Sequence, residues 1–196
     1  MSTTPLQEIG LKVIEALKRV ESDTTVENLE NAISVIGSAM DAVISIYDAK
    51  MKGEEASIEK FGEYNAETCM TVFRHKSDPR YGKVIALIDG NMCTVYVVKR
   101  KTYTIPVYVP CEYKGKNIAD GLRYALNADH EDVINFIKTA EEEEKQGEPC
   151  MRQTTTVLGY DDFVKLVSIA LSTKKSIVRV TKWLLMYTAR KGGVKQ

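Results

Sequence analysis

The sequence predicts an α+β protein. The expected arrangement is an N-terminal antiparallel helical hairpin, a small antiparallel sheet of three or four strands in a meander, and covering helices toward the C-terminus. Three observations predict it: helical apolar spacing through the first fifty residues, β-branched runs near the middle of the chain, and a return of helical spacing afterwards. With 196 residues, we expect a helical region over 1–76 and a mixed α+β region over 77–196, packed into one compact unit.

The first fifty residues predict two helices joined by a short polar turn. The first helix has one narrow apolar stripe, which consists of Leu6, Ile9, Val13, Ala16 and Val20. Thr24 followed by Glu27 has the spacing of a capping box and predicts the start of the second helix, which runs to about Lys52 before Gly53. Two helices joined by so short a turn form an antiparallel hairpin.

The second helix carries the clearest pattern in the chain. Its apolar positions keep a 3, 4, 3, 4 spacing, and they are Val26, Leu29, Ile33, Ile36, Met40, Val43 and Tyr47. This 3.5-residue period is typical of a seam between helices. Two interpretations stay open: the stripe covers the core of its own chain, or it is a surface for self-association. Asp41 lies directly after Met40, which argues against a membrane role for this helix.

Residues 53–76 are less regular. Four glutamates, Glu54, Glu55, Glu59 and Glu63, indicate a solvated helix, and the spacing of Ala66, Met70 and Phe73 predicts a further short helix. A turn is expected at 76–79, because the residue before Pro79 is disfavoured in helical geometry. The boundary between the two regions is expected there.

Three β-branched runs predict the strands. Residues 83–89 and 92–99 flank Asp89-Gly90-Asn91, and Asp-Gly is a strong hairpin signal. The third run, 102–109, is expected to continue the meander, with Pro106 placing it at a sheet edge. Tyrosines and cations are interleaved here, and this mixture can bind single-stranded nucleic acid: Tyr96, Tyr103, Tyr108 and Tyr113 with Lys99, Arg100, Lys101, Lys114 and Lys116. The pattern is also that of ordinary strands with charged ends.

The rest of the chain predicts three helices and one more strand. Helical spacing from 117 to 127 and after Asp129 indicates two surface helices, and the threonine-rich segment 152–158 indicates a strand. Gly159 and Asp161 precede a further helix. Segment 176–190 fits a helix or a short strand, and we favour the helix because Leu184, Leu185 and Met186 are good helix formers.

Charge is unevenly distributed although the formal net charge is zero. Residues 1–75 carry −6, residues 76–117 carry +5, residues 118–163 carry −7 and residues 164–196 carry +8. As a helix, the last segment aligns Lys175, Arg179, Lys182 and Arg190 on one face. These cations could bind RNA, an acidic protein surface or, less readily, an anionic membrane. They could also pair with the acidic run Glu141 to Glu144 of the same chain.

No catalytic or metal-binding motif was found. The chain has two histidines, and it lacks the phosphate-binding, metalloprotease and nucleophile-elbow motifs. The four cysteines, Cys69, Cys93, Cys111 and Cys150, have no close pair, so we expect buried thiols rather than disulfides or a zinc site. We therefore expect no cofactor, no metal and no catalytic residue. Because residues 1–10 lack a secretory pattern, we expect a cytoplasmic protein.

The sequence favours a non-enzymatic, self-associating binding protein. RNA is the first expected partner, bound through the basic C-terminal helix and also through Lys99, Arg100 and Lys101. The alternative is an assembly or adaptor protein, of the kind of a small viral matrix or scaffold protein, in which positive and negative blocks of neighbouring copies attract each other. An enzyme whose site is assembled from scattered residues is a third hypothesis.

Overall fold

A computed structural model describes residues 2–73, 83–115 and 117–192. The chain divides into two compact units, Met1–Lys101 and Thr102–Gln196, and each is described by itself. The helices and the two small antiparallel sheets confirm the α+β class. The predicted boundary near residue 76 and the turn at 76–79 lie outside the described residues. The first unit extends past that point, to Lys101.

The first unit is a helical hairpin packed on a three-stranded antiparallel sheet. Its elements are α1 (Pro5–Ser22), α2 (Val26–Met51), β1 (Ser57–Asn65), α3 (Ala66–Val72), β2 (Val84–Asp89) and β3 (Met92–Lys99). The strand order is β1-β3-β2. The core lies between the hairpin and one face of the sheet, and it includes Ile9, Ala16, Ala32, Val35, Ala42, Ile58, Ile85, Leu87, Tyr96 and Val98.

Both helices of the hairpin begin at a threonine cap. Thr4 caps α1 in a capping box with Gln7, and Pro5 occupies the first turn. Thr25 caps α2 by accepting a hydrogen bond from the backbone N–H of Asn28. The predicted capping box of Thr24 and Glu27 is therefore wrong by one residue. The Thr24 hydroxyl instead donates to the Val20 carbonyl at the end of α1.

The predicted solvated helix in 53–76 is wrong over residues 57–65, which form β1. This strand pairs along its length with β3, with a bulge between Lys60 and Gly62. The spacing of Glu59 and Glu63 suits a helix as well as a bulged strand, so the local pattern could not decide between them. Pairing with β3 decides it, because strand preference depends on the neighbouring strand. The predicted short helix is confirmed as α3, which Asn65 caps.

The β2–β3 hairpin is confirmed, with Gly90 at φ +59° in its turn. The meander is not continued by the third run, because β4 (Thr102–Pro110) pairs with β5 (Met151–Gly159) in a separate two-stranded sheet. Alternate residues of β4 are buried as predicted, and they are Tyr103, Ile105, Val107 and Val109. Pairing β4 with the threonine-rich strand leaves this apolar face for the helices of the second unit to cover.

Those helices are α4 (Ile118–Leu126), α5 (His130–Glu144), α6 (Tyr160–Thr173) and α7 (Ile177–Lys191). The favoured helix over 176–190 is thus confirmed as α7. It is buried on nearly all sides against β4, α4, α5 and α6. The Thr181 hydroxyl accepts a hydrogen bond from the backbone N–H of Tyr108, so α7 covers the edge of β4 that β5 leaves open. Tyr103 of β4 stacks on Phe163 of α6, with ring centroids 4.0 Å apart.

The expectation of four buried thiols is wrong, because the cysteines form two disulfides. Cys69 of α3 is bonded to Cys93 of β3 inside the first unit, and Cys111 is bonded to Cys150 beside the second sheet. Both pairs lie far apart in sequence, so residue spacing gave no sign of them. Antiparallel pairing of β4 and β5 brings Cys111 and Cys150 together, since each directly follows or precedes its strand.

We predict that the double substitution Cys111→Ser/Cys150→Ser lowers the free energy of unfolding of the second unit by about 3–4 kcal/mol, the chain-entropy value for a loop of this length. Both cysteines are exposed, so the serines create no buried polar group. Urea denaturation followed by Trp183 fluorescence measures the change, because Trp183 is the single tryptophan and is buried in this unit. An unchanged unfolding midpoint under oxidising conditions would contradict the disulfide.

Candidate functional site

The predicted seam on α2 lies at the surface of the protein. Six of its seven residues are exposed and Ile36 is half-buried; the six are Val26, Leu29, Ile33, Met40, Val43 and Tyr47. The values are high for large apolar side chains: Val26 is 71%, Ile33 is 70% and Tyr47 is 61% exposed. We call these seven residues the α2 stripe. It does not cover the core of its own chain, which was one of the two interpretations of the pattern.

A second face of α2 covers the core instead. Its buried residues are small, and they are Ala32, Val35, Ser38, Ala42, Ser45 and Ala49. Small side chains let α2 lie close to β2, where the Ser38 hydroxyl donates to the Ala86 carbonyl over 3.2 Å. The core thus takes the small-residue face of α2, and the large apolar residues stay outside.

Sequence reasoning missed several exposed apolar residues of the hairpin. On α2 these are Ile44, one position beyond Val43, and Met51, four positions beyond Tyr47. On α1 they are Leu6, Leu11, Ile14 and Leu17. Leu6 was expected in the buried stripe of α1, but it is 46% exposed. The residues that keep the 3, 4 spacing on α1 mark the face that packs against α2 and the sheet. Leu11, Ile14 and Leu17 do not follow that spacing. A second apolar face with its own spacing is the signal that could have found them.

Charged residues flank the α2 stripe at both ends. Glu27 and Glu30 are exposed in the first turns of α2, and Lys50 and Lys52 are exposed at its end. The two ends of the stripe therefore carry opposite charges, with Asp48 as an exposed acid near the basic end. Within the described residues, no ion pair is formed by Glu30 or Lys50.

Among the described residues, α2 is also long and apolar enough to cross a membrane, with a mean hydropathy of 1.4 over its most apolar 18-residue window. Helices in the cores of water-soluble proteins meet the same criterion, so length and hydropathy alone do not identify a span. Asp41 is half-buried near the centre of this helix.

Three of the four basic residues predicted as a binding face at the C-terminal helix are paired with acids of their own unit. Lys175 forms an ion pair with Glu141, and Arg190 binds Glu112 and Glu143, the latter at 2.9 Å. The hydrogen bond to Glu112 is the main reason that the pKa of Arg190 is raised. Arg179 is exposed and lies over the Trp183 ring, 5.4 Å from its centroid. Three of the four cations predicted to face an outside partner, Lys175, Lys182 and Arg190, thus bind glutamates at the end of α5, and within the described residues Arg179 does not.

Lys182 is the most buried of these cations. Its ammonium group lies 2.8 Å from Glu144, and the two side chains are 14% and 12% exposed. The other oxygen of Glu144 accepts a hydrogen bond from the indole N–H of Trp183. Glu144, the last residue of the acidic run Glu141 to Glu144, therefore holds α5 against α7.

Lys99 and Arg100, two of the three basic residues that follow β3, are also paired with acids of the first unit. Arg100 binds Glu54 at 2.9 Å, and Lys99 lies 3.5 Å from Glu59. Lys101 is exposed. Nearby, burial is the main reason that the pKa of Lys83 is lowered, and the positive charges of Arg100 and Lys52 lower it further.

Three of the four predicted stacking rings are not available at the surface, and the fourth, Tyr108, is half-buried. Tyr96 and Tyr103 are fully buried, in different sheets, and Tyr113 is buried as well. The hydroxyl of Tyr96 donates to Glu8 over 3.1 Å. Burial, together with that hydrogen bond, raises the Tyr96 pKa far above its ordinary value. These tyrosines are core residues, which is the other interpretation that the sequence allowed.

A cavity of about 470 Å³ lies in the first unit between α2, α3 and β2. Its lining includes the carboxylates of Asp41 and Glu67 and also Cys69. Cys69 is bonded to Cys93, so it is not a nucleophilic thiol. No group of three His, Cys, Asp or Glu within 2–73, 83–115 and 117–192 is placed to hold a metal ion. His75 lies outside the described residues.

Comparison with known proteins gives no relative for this arrangement: no family model, no curated protein and no solved structure matches the chain.

We predict that Glu144→Gln lowers the free energy of unfolding of the second unit by about 2–3 kcal/mol, because it leaves the ammonium of Lys182 largely buried beside a neutral amide. Urea denaturation followed by Trp183 fluorescence measures it. Glu142→Gln is the matched control, since Glu142 and its partner Lys145 are 70% and 66% exposed, and its effect should stay within about 0.5 kcal/mol. Equal effects of the two variants would refute a structural role for the Lys182–Glu144 pair.

Proposed function

We propose that this protein is a non-enzymatic, self-associating protein, and that it binds a second copy of itself through the α2 stripe. The observation that carries the proposal is the exposure of the stripe: six of its seven apolar residues, which keep a 3, 4 spacing along one helix, face solvent. Contiguous apolar surfaces of this kind mark sites of interaction. A 3.5-residue period is the spacing that packs one helix against another.

The ion pairs of the basic residues weaken the competing hypotheses. A cation that already binds a carboxylate must give up that bond to bind a phosphate, and Lys175, Lys182 and Arg190 each have such a partner. RNA binding through these residues and through Lys99 and Arg100 therefore stays a prediction without support from their contacts. Arg179 and Lys101, the other two cations predicted to bind RNA, are exposed. The same ion pairs weaken the hypothesis of assembly through charge blocks, because cations that are paired within one copy attract the acids of a neighbouring copy less strongly.

The substitution Ile33→Glu tests self-association. Ile33 is exposed in the single copy, so the variant keeps its fold, but in the assembly each copy would bury a carboxylate among apolar side chains. Burial of an isoleucine contributes about 1.5–3 kcal/mol, and two copies lose it, so we expect the dissociation constant to rise by about 100-fold or more. Sedimentation velocity over a concentration series measures it.

Val157→Glu is the matched control. Val157 is an exposed apolar residue of β5 in the other unit, at 49% exposure, and its substitution should leave association unchanged. Sedimentation at about 0.1 M and about 1 M salt separates the two modes of assembly, because screening dissolves contacts between surface charges and spares apolar ones. A parent protein that is monomeric at all concentrations overturns the proposal. A monomeric parent that floats with lipid vesicles would assign the α2 stripe to a membrane surface instead.

We also propose that the protein works in an oxidising compartment rather than in the cytoplasm. Its four cysteines form two disulfides, one in each unit, and no cysteine is left as a thiol. Disulfides persist in oxidising surroundings and are rare in the reducing cytosol.

Alkylation of the protein from intact host cells tests the compartment. Cells are lysed directly into denaturant that contains a thiol-blocking reagent, so that the buried Cys69 and Cys93 can also react, and the number of blocked cysteines is counted by mass spectrometry. We expect no blocked cysteine, and blocking of all four only after reduction. Four blocked cysteines without reduction would place the protein in a reducing compartment.

A further inference from the structure

We propose that the cavity between α2, α3 and β2 binds a small organic cation, that is, a molecule with an apolar body and one ammonium group. The site is separate from the α2 stripe, because none of the seven stripe residues, all of which the structure describes, lines the cavity. The proposal therefore does not depend on the self-association proposed above.

The walls of the cavity are held in place by the fold of the first unit. The disulfide between Cys69 and Cys93 ties α3 to the sheet. The hydrogen bond from the Ser38 hydroxyl to the Ala86 carbonyl ties α2 to β2. The volume of about 470 Å³ lies within the range of about 300–1,000 Å³ that is typical of small-molecule sites, which are usually preformed.

Most of the lining is apolar. The apolar side chains come from α3, from the residue that follows it and from β2, and they are Met70, Phe73, Val84, Ile85, Ala86 and Ile88. Apolar walls favour a ligand whose body is removed from water on binding. An apolar body is therefore the first requirement that the cavity places on its ligand.

Two carboxylates give the cavity its charge. Asp41 of α2 is half-buried and Glu67 of α3 is exposed, and both line the cavity. Among the described residues of the lining there is no lysine, arginine or histidine. The hydroxyls of Ser38 and Thr71 already donate to backbone carbonyls, those of Ala86 and Glu67. The described side chains therefore offer oxygen acceptors and negative charge, which an ammonium group complements as a positively charged donor.

The partial burial of Asp41 strengthens its attraction for a cation. Charges in a partly enclosed apolar site are screened less by salt and water than charges on an open surface. A ligand of the same shape that carries a carboxylate is repelled by both Asp41 and Glu67. The second requirement on the ligand is therefore a positive charge.

Three probes that share one apolar body test this preference: tryptamine, tryptophol and indoleacetate. They carry an ammonium group, a hydroxyl and a carboxylate, respectively, at neutral pH. Titration calorimetry on the full chain measures their binding. We expect tryptamine to bind at least about tenfold more tightly than tryptophol, which can donate a hydrogen bond but lacks the charge. Indoleacetate should bind more weakly than tryptophol.

Substitution of the carboxylates assigns the preference to this cavity. Asp41→Asn should weaken tryptamine binding by about tenfold, and Glu67→Gln should weaken it by about threefold because its exposed charge is screened more. Neither variant should change the affinity for tryptophol, and this split separates a lost charge from a damaged fold. Glu30→Gln is the matched control, since Glu30 is an exposed acid of the same helix eleven residues before Asp41, and it should change neither affinity.

A filled cavity gives an independent test of location. Met70 lines the cavity and is 54% exposed, so Met70→Trp can place a larger ring there without disturbing the buried core. This variant should weaken the binding of tryptamine and tryptophol alike. Tryptamine affinity that is unchanged by both Asp41→Asn and Met70→Trp would show that the amine binds elsewhere and would overturn the proposal.

The remaining outcomes are equally distinct. A parent protein that does not bind tryptamine, or that binds it no better than indoleacetate, overturns the cation site and leaves the proposed self-association untouched. Ile33→Glu, which should dissociate the assembly, should bind tryptamine as the parent does. A monomeric parent that binds tryptamine with the expected selectivity would overturn the proposed function and support the cation site.

Discussion

The structure of the first unit depends on the fact that α2 has two apolar faces and only one layer beneath it. The face of small residues, including Ala42 and Ala49, lies against the sheet, where close approach gives dense packing. The opposite face holds the large residues of the α2 stripe. A helix that is apolar on two sides needs cover on two sides, and its own unit supplies cover on one.

In the second unit, a largely buried helix carries cations. α7 is covered nearly all round, yet it bears Lys182 and Arg190. The acidic end of α5 makes this possible, because Glu144 and Glu143 meet these cations. The acidic block 118–163 and the basic block 164–196 therefore neutralise each other in part, through ion pairs within the same unit.

The sequence predicted those elements that local rules determine. The two helices of the hairpin, the turn at Gly90, the alternation in β4 and the helical form of α7 follow from periodicity and turn chemistry. The sequence did not predict the elements that depend on contacts between distant segments. β1 exists because β3 is beside it, β4 pairs with β5 across about forty residues of intervening chain, and the disulfides join cysteines that those pairings bring together. For the site, spacing identified the α2 stripe correctly as one face, but it could not say whether that face lies inside or outside.

The residues of α2 that form the core and the residues that form the α2 stripe are different sets. The hairpin folds through residues such as Ala32 and Val35, which lie off the stripe, so replacing stripe residues by polar ones would leave the core of the unit intact. Folding of the single copy therefore does not account for the large apolar residues at 26, 29, 33, 40, 43 and 47. Their exposure to water carries a cost in free energy and in solubility. The self-association proposed above would account for their size and their spacing.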